Sequence, residues 1–364
     1  MCVKTFFLTF SVLGVLISVG ACNWLFVWVG FELNLIGFIP YLINSDLDFR
    51  SENGMKYYLV QAFGSILFAF GSILWVGAGD SFFFISSVYG GDELDGMMRI
   101  GYFGVLCVVF SLFLKLGSFP FHYWLPDVVT SNSWSGCLMI LSIQKIAPFI
   151  VLFSMVDFVS KIVFWLIVFS ALSSSIVGGI GGIGESSVCI LMAYSSIGHT
   201  GWILFSMLLG YSAFMVYFVV YMVLVTCVFV LFSVLNSESV IVVGGADDGD
   251  DGGGVMSWSL VVVLLSFGGI PPFLGFLSKW MVISLAMSFG MVFFLFVLIA
   301  GSLLSLYYYL VLVFGGFFSG SVVMDKTKGY MGVLVNYSGG WFVYVAISLL
   351  LVNLLGSVFC LFFL

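Results

Sequence analysis

The chain has 364 residues, of which 62% are hydrophobic and only 7% charged, with ten basic and seventeen acidic side chains and a formal net charge of −7. Soluble domains carry roughly 25% charged residues, and at a mean hydropathy of +1.26 the apolar side chains cannot be confined to one inner face. A water-soluble globule, a disordered chain and a secreted or nucleic-acid-binding domain are therefore excluded. Apolar stretches of about twenty residues match a bilayer-spanning helix, not the ~10-residue alternation of a membrane barrel. The chain reads as an all-α polytopic membrane protein.

Hydropathy and turn signals predict about eleven spans, in chain order 4–20, 24–43, 56–78, 97–120, 134–154, 161–180, 187–209, 213–236, 255–284, 288–316 and 340–363. The first has neither a small-residue cleavage site nor an Arg-rich presequence, so it is read as a span and not as a removable leader. Most intervals are short, the exceptions being 79–96, 121–133, 237–254 and 317–339, and a single transmembrane domain over 1–364 is expected. Asp247, Asp248, Asp250 and Asp251 read as a solvated hairpin, since a calcium loop needs ligands at fixed spacing and a terminal Glu. An odd span count puts the termini on opposite faces. Lys4, Arg50, Lys56, Lys326 and Lys328 then share the amino-terminal side against Arg99 and Lys161 on the other, which places the amino terminus on the matrix or cytoplasmic side.

Seven cysteines are scattered singly, without a CxxC pair, and only His122 and His199 represent histidine. Zinc, iron–sulfur, paired-haem and copper sites are not expected, nor any redox centre or bound cofactor. Composition is skewed toward Phe (42) and Gly (43) and away from Pro (6) and His (2). Residues written with T- and G-rich codons dominate, which suggests the hypothesis of a strand-biased organellar genome. The scarce residues are concentrated: all six prolines, both histidines and both glutamines (Gln61, Gln144) fall in a few polar-punctuated segments.

Four ionisable residues lie well inside predicted spans: Glu32, Lys115, Lys145 and Lys279. Each costs on the order of 2.5–3.5 kcal/mol at a helix centre, roughly 10 kcal/mol together, so something requires them. Snorkelling is open to Lys279 near a span end but not to Lys145, which has about ten span residues on either side. A static ion pair could account for Glu32 and one lysine but leaves the others unpartnered. The functional alternative is that buried lysines trade protons with internal water.

Helix breakers accompany the three lysines. Pro120 follows Lys115, Pro148 follows Lys145, and Pro271 and Pro272 precede Lys279 by about two turns. Proline removes an N–H and frees a carbonyl, and broken helices are tolerated in a bilayer only where they line a protein-buried or hydrated cavity. Lysines beside breaks read as a hydrated track; prolines that merely bend helices for packing are the alternative. His122 reads either as an interfacial anchor or as a proton relay, and His199, mid-span, either as a relay or as a hydrogen-bonded packing residue. The glycines of 178–184 lack a following Lys-Ser/Thr and lie between spans, so phosphate binding is not expected there.

Six segments carry a resemblance: Trp28–Pro40 with Glu32 and Asn34, Lys56–Ala62 with Gln61, Lys115–Val128, Gln144–Pro148, Ala193–Trp202 and Leu265–Trp280. In order and content they closely resemble the chain 2 family of mitochondrial NADH:ubiquinone oxidoreductase, respiratory complex I, from about residue 24 to 285. The resemblance implies an antiporter-like fold with broken helices near Pro120 and Pro271, and a core membrane-arm subunit that translocates protons across the inner membrane. Glu32 would pair electrostatically with Lys115, Lys145 would be the central relay, and Lys279 would lead toward the exit or the neighbouring subunit. NADH, FMN, iron–sulfur clusters and ubiquinone would belong to other subunits. Implied partners are the antiporter-like chain 4, small chains such as 4L, and phospholipid such as cardiolipin, with no nucleic acid.

The sequence departs from that family before Ala193, where Gly184–Ile190 replaces a Gln and paired basic residues, at Ser278 in place of proline, at Asp127 in place of Glu, and in the acidic loop 247–254. None touches the four charged positions. A free-standing cation/proton antiporter and a structural membrane subunit without its own proton channel remain as alternatives.

Overall fold

The computed structural model describes residues 2–43, 48–77, 96–130, 133–156, 161–235, 251–319 and Asn353. These form thirteen helices: α1 (Cys2–Gly20), α2 (Trp24–Ile43), α3 (Asp48–Gly77), α4 (Gly96–Leu116), α5 (Trp124–Val129), α6 (Trp134–Leu141), α7 (Ile143–Val156), α8 (Lys161–Gly181), α9 (Val188–Leu209), α10 (Tyr211–Leu235), α11 (Asp251–Gly268), α12 (Leu274–Ser288) and α13 (Val292–Ser319). Among the described residues seven helical segments are long and apolar enough to cross a membrane, and Lys4–Gly20, Ile100–Leu116, Trp258–Gly268 and Leu274–Ser288 are shorter apolar helices. The predicted span 340–363, the acidic run up to Asp250, and Lys326 and Lys328 lie outside the described residues.

Val, Ile and Phe are middling helix formers in water. In lipid the backbone has no water to bond, so an apolar run of this length closes its hydrogen bonds on itself as helix. Serine hydroxyls obey the same constraint: Ser11, Ser18, Ser111 and Ser174 donate to the carbonyl three residues back at 2.6–3.0 Å.

Three predicted spans are interrupted. That over 97–120 stops at Leu116, and Pro120 stands beyond its end. That over 255–284 is two helices, α11 and α12, parted at Gly269–Phe273. That over 134–154 is also two helices, parted at Ser142, and α7 runs on through Pro148, which was expected to break it. Pro148 forgoes one backbone bond, to the Gln144 carbonyl in the first turn, which a helix this well packed tolerates.

Residues 1–174 and 175–364 form two compact units. In the first, α1 and α2 run antiparallel at a separation only small residues allow. A Cβ at Gly14 would lie 2.4 Å from the Asn34 nitrogen, one at Gly30 2.6 Å from the Ser18 nitrogen, and one at Gly37 2.6 Å from the Ser11 nitrogen. Gly71 and Gly104 bring α3 and α4 together in the same way. Such close approaches replace the hydrophobic drive that lipid does not supply. In the second unit Gly178 meets Gly198, a Cβ on the former lying 2.4 Å from the latter's nitrogen. The glycine run expected between spans therefore begins inside α8, where it serves helix packing.

Gly30→Leu should force α1 off α2 and lower stability by ~1–3 kcal/mol, the usual cost of overpacking. Thermal unfolding of the protein in lipid–detergent micelles reads this, with Ile36→Leu, on the exposed face of α2, unchanged.

Candidate functional site

The predicted intramembrane charges fall into two groups, one in each unit. In the first, α4 closes by a Schellman turn: Gly117 takes φ 66°, Ser118 N–H donates to the Phe113 carbonyl at 3.1 Å and Gly117 N–H to that of Leu114 at 3.3 Å. The Lys115 carbonyl, left over by that turn, accepts from Gln61 Nε2 of α3 at 3.5 Å. The Lys115 ammonium returns the contact, donating to the Gln61 carbonyl at 3.4 Å, and lies 4.6 Å from the centre of the Phe31 ring. Gly64 makes room for this side chain, since a Cβ there would stand 3.3 Å from Lys115 Cγ.

Glu32 accepts from Ser65 Oγ at 2.5 Å. Among the described residues the one salt bridge within 4.0 Å is the exposed Lys56–Glu52 pair at 3.1 Å. Glu32 and Lys115 are thus within electrostatic reach of one another without touching, each held by a neutral partner. The three lysines are almost wholly withdrawn from the surface, Lys115 at 5%, Lys145 at 2% and Lys279 at 7% exposure. Lys145 occupies the first turn of α7, directly after the interruption at Ser142, and its backbone N–H donates to the Ser142 carbonyl at 3.0 Å. A cavity of ≈ 10 Å³, enough for about one water, is bordered by Phe31, Asn34, Tyr57, Gln61, Lys115 and Gln144.

His122 sits in the turn between α4 and α5. It is buried, its ring 4.0 Å from that of Tyr123 and 5.9 Å from that of Phe119, near which Pro120 bends the chain. A ring so enclosed lacks the water-facing edge of an interfacial anchor.

In the second unit α11 ends as α4 does. Gly269 takes φ 81°, Ile270 N–H donates to the Leu265 carbonyl at 3.3 Å and Gly269 N–H to that of Ser266 at 3.0 Å. The last two carbonyls of α11, those of Phe267 and Gly268, remain, and both accept from the Lys279 ammonium at 3.4 and 2.9 Å. Lys279 therefore caps the negative end of the preceding helix across the break at Pro271 and Pro272. Snorkelling does not describe it: its head group is buried at a helix end and faces the Trp202 ring at 5.9 Å.

His199 Nδ1 lies 3.0 Å from the Tyr217 hydroxyl, and the histidine and Lys279 border one cavity of ≈ 10 Å³ with Ser175, Ser195, Ser302 and Ser305. Ser195, Ser302 and Ser305 spend their hydrogens on their own helices, at 2.8, 2.9 and 2.8 Å. The lone pairs they retain make this chamber rich in acceptors, suited to water around a cation. Among the described residues no three His, Cys, Asp or Glu side chains converge on a metal position.

Sequence reasoning left Ser65, Gln61, Asn34, Gln144 and Tyr217 out of the candidate site. The two glutamines carried a signal, being scarce and lodged in the polar-punctuated segments. Ser65 and Tyr217 carried none, one serine or tyrosine in an apolar run being indistinguishable from the rest.

The family described as NADH:quinone oxidoreductase/Mrp antiporter, TM, matches residues 21–305. NADH-ubiquinone oxidoreductase chain 2 of Lumbricus terrestris is 35% identical over 82% of this chain and 82% of its own length. Its counterpart from Anopheles gambiae is 31% identical over 84% and 83%. A chain in the structure of respiratory complex I from Thermus thermophilus superposes with a TM-score of 0.78 at 21% identity, covering 98% of this chain and 79% of that one. A chain of the Mrp complex from Dietzia sp. gives 0.80 at 17% identity over 96% and 74%.

Gly269→Ala should cost ~1–2 kcal/mol, since alanine disfavours a left-handed conformation and its Cβ would press on Lys279 Cδ, 2.8 Å away. Gly268→Ala, whose Cβ meets at its nearest the flexible end of Leu306 at 3.2 Å, should cost less. Denaturation of the two variants side by side measures the difference.

Proposed function

The chain belongs to the NADH-ubiquinone oxidoreductase chain 2 family, within the wider group of NADH:quinone oxidoreductase and Mrp antiporter membrane subunits, and from this we propose that it is a core membrane-arm subunit of respiratory complex I that moves protons across the mitochondrial inner membrane. The observation that carries the reading is Lys145, 2% exposed, placed in the middle of an apolar span and at the start of a helix that begins within it. A membrane protein that needed only packing would gain by an apolar residue there, because an ammonium in hydrocarbon costs about 2.5–3.5 kcal/mol even on lenient scales.

Glu32, Lys115, Lys145 and Lys279 are the proton-carrying residues, with His199 and His122 as relays, and the two units act as one membrane domain over 1–364. Lys145 takes and releases the proton. Glu32 and Lys115 set the electrostatic environment: in the arrangement with Glu32 on Ser65 and Lys115 on the Gln61 carbonyl the two charges are apart, and direct pairing is the other state. Separation raises the cost of a further positive charge and expels a proton, and pairing invites reloading. Lys279, in its acceptor-rich chamber with His199, hands the proton on. This chain binds no cofactor itself. NADH, FMN, iron–sulfur clusters and ubiquinone work in other subunits of the H⁺-translocating reductase, whose redox energy reaches this chain by conformational and electrostatic coupling. Its neighbours are the antiporter-like chain 4, small chains such as 4L, and phospholipid such as cardiolipin. The amino terminus faces the matrix, on the excess of lysine and arginine assigned to that side.

Lys145→Met in the assembled complex should lower proton uptake per NADH oxidised while the complex still assembles, read as vesicle acidification against NADH absorbance in proteoliposomes. Unchanged stoichiometry would favour a structural subunit, and cation/proton exchange by the purified single chain would favour a free-standing antiporter. Glu32→Gln should slow turnover and leave the lysines in place, since it removes the charge and keeps the acceptor for Ser65.

A further inference from the structure

Asn34 of α2 and Gln144 of α7 face one another through two hydrogen bonds. Asn34 Nδ2 donates to Gln144 Oε1 at 2.6 Å, and Gln144 Nε2 donates back to Asn34 Oδ1 at 2.9 Å. Both are buried, at 7% and 8% exposure. This reciprocal pair joins two helices far apart in sequence, and it borders the Lys115 cavity. Asn34 is two residues from Glu32, Gln144 is the neighbour of Lys145, and both amides border the cavity that holds Lys115.

We propose that the Asn34–Gln144 amide pair is the positioning and closing element of this proton site, and the proposal rests on the function assigned above. The first turn of α7 begins at the interruption at Ser142, so α6 does not by itself set its orientation, and a tie to another helix does. Gln144 is the side chain in that turn with two directed bonds to another helix, and consecutive helical residues project about 100° apart. Fixing Gln144 against α2 therefore fixes the direction in which Lys145 leaves the helix.

Closure follows from the chemistry of the pair. Each amide has donated a hydrogen and filled an acceptor on its partner, and an amide neither gives up nor takes a proton near neutral pH. Water beside Lys115 meets a wall of mutually bonded, non-ionisable groups, one of them the chain neighbour of Lys145. A proton passes that wall only when the two amides part, and their parting frees Gln144 and with it the first turn of α7. Opening the route and re-aiming Lys145 become one event.

The test uses the assembled complex in proteoliposomes and three variants: Asn34→Leu, Asn34→Gln, and the exchange Asn34→Gln with Gln144→Asn, which keeps the number of atoms between the two helices. Passive proton conductance without NADH is measured under an imposed potential. Asn34→Leu and Asn34→Gln should raise it by about tenfold, the effect of losing roughly one buried hydrogen bond of closure, and the exchange should return it to the parent level. Equal conductance in all four proteins overturns the proposal, as does a leak in the exchange variant as large as in the single variants. Should Asn34→Leu fail to assemble, the comparison of Asn34→Gln with the exchange decides alone. Lys145→Met, measured alongside, separates the two claims: loss of pumping there with no leak in the Asn34 variants removes the amide proposal only, whereas full pumping removes the function on which it rests.

Discussion

A helix that stops inside a bilayer must find partners for its last carbonyls, and the sites of this protein are built where that happens. Schellman turns at Gly117 and Gly269 satisfy the carbonyls of Phe113, Leu114, Leu265 and Ser266, which leaves the final two of each helix. At α4 a glutamine amide reaches one of them; at α11 both are taken by the Lys279 ammonium. A buried cation and a broken helix are each expensive in lipid, and together each lowers the other's cost.

The close helix contacts serve this arrangement. Because Gly14, Gly30 and Gly37 let α1 and α2 approach at backbone distance, α2 is held firmly enough to present Phe31, Glu32 and Asn34 to different neighbours. Gly64 does the same for Lys115 by leaving the volume its methylene chain occupies. Small residues thus do more than hold helices together: they decide which polar atoms come within bonding distance.

The two cavities differ in chemistry although each has room for about one water. The first is walled by amides beside a lysine, with a carboxylate on the same helix as one wall, so its field depends on where two opposite charges stand. The second has serine oxygens, a histidine bonded to a tyrosine, and a lysine fixed at a helix end. On the function proposed above, the first set of groups changes charge separation and the second accepts and relays a proton.

Membrane class, helix content and the four intramembrane charges follow from the sequence alone, because lipid penalises charge and unpaired backbone so heavily that composition and period leave few options. The breaks near Pro120 and Pro271 were legible for the same reason, and they share a signal that was there to be used: Gly-Ser-Phe-Pro-Phe at 117–121 and Gly-Ile-Pro-Pro-Phe at 269–273 form the same turn. The break beside Lys145 was placed at Pro148 and lies at Ser142 instead, since proline marks a lost hydrogen bond and not where the chain yields. Tertiary structure alone decided that Glu32 rests on Ser65 and not on Lys115, that Lys279 caps α11, and that Asn34 clasps Gln144. Each of these is a choice among neutral and charged partners within a few ångströms, set by how closely glycines let the helices pack, and no local pattern along one helix encodes that distance.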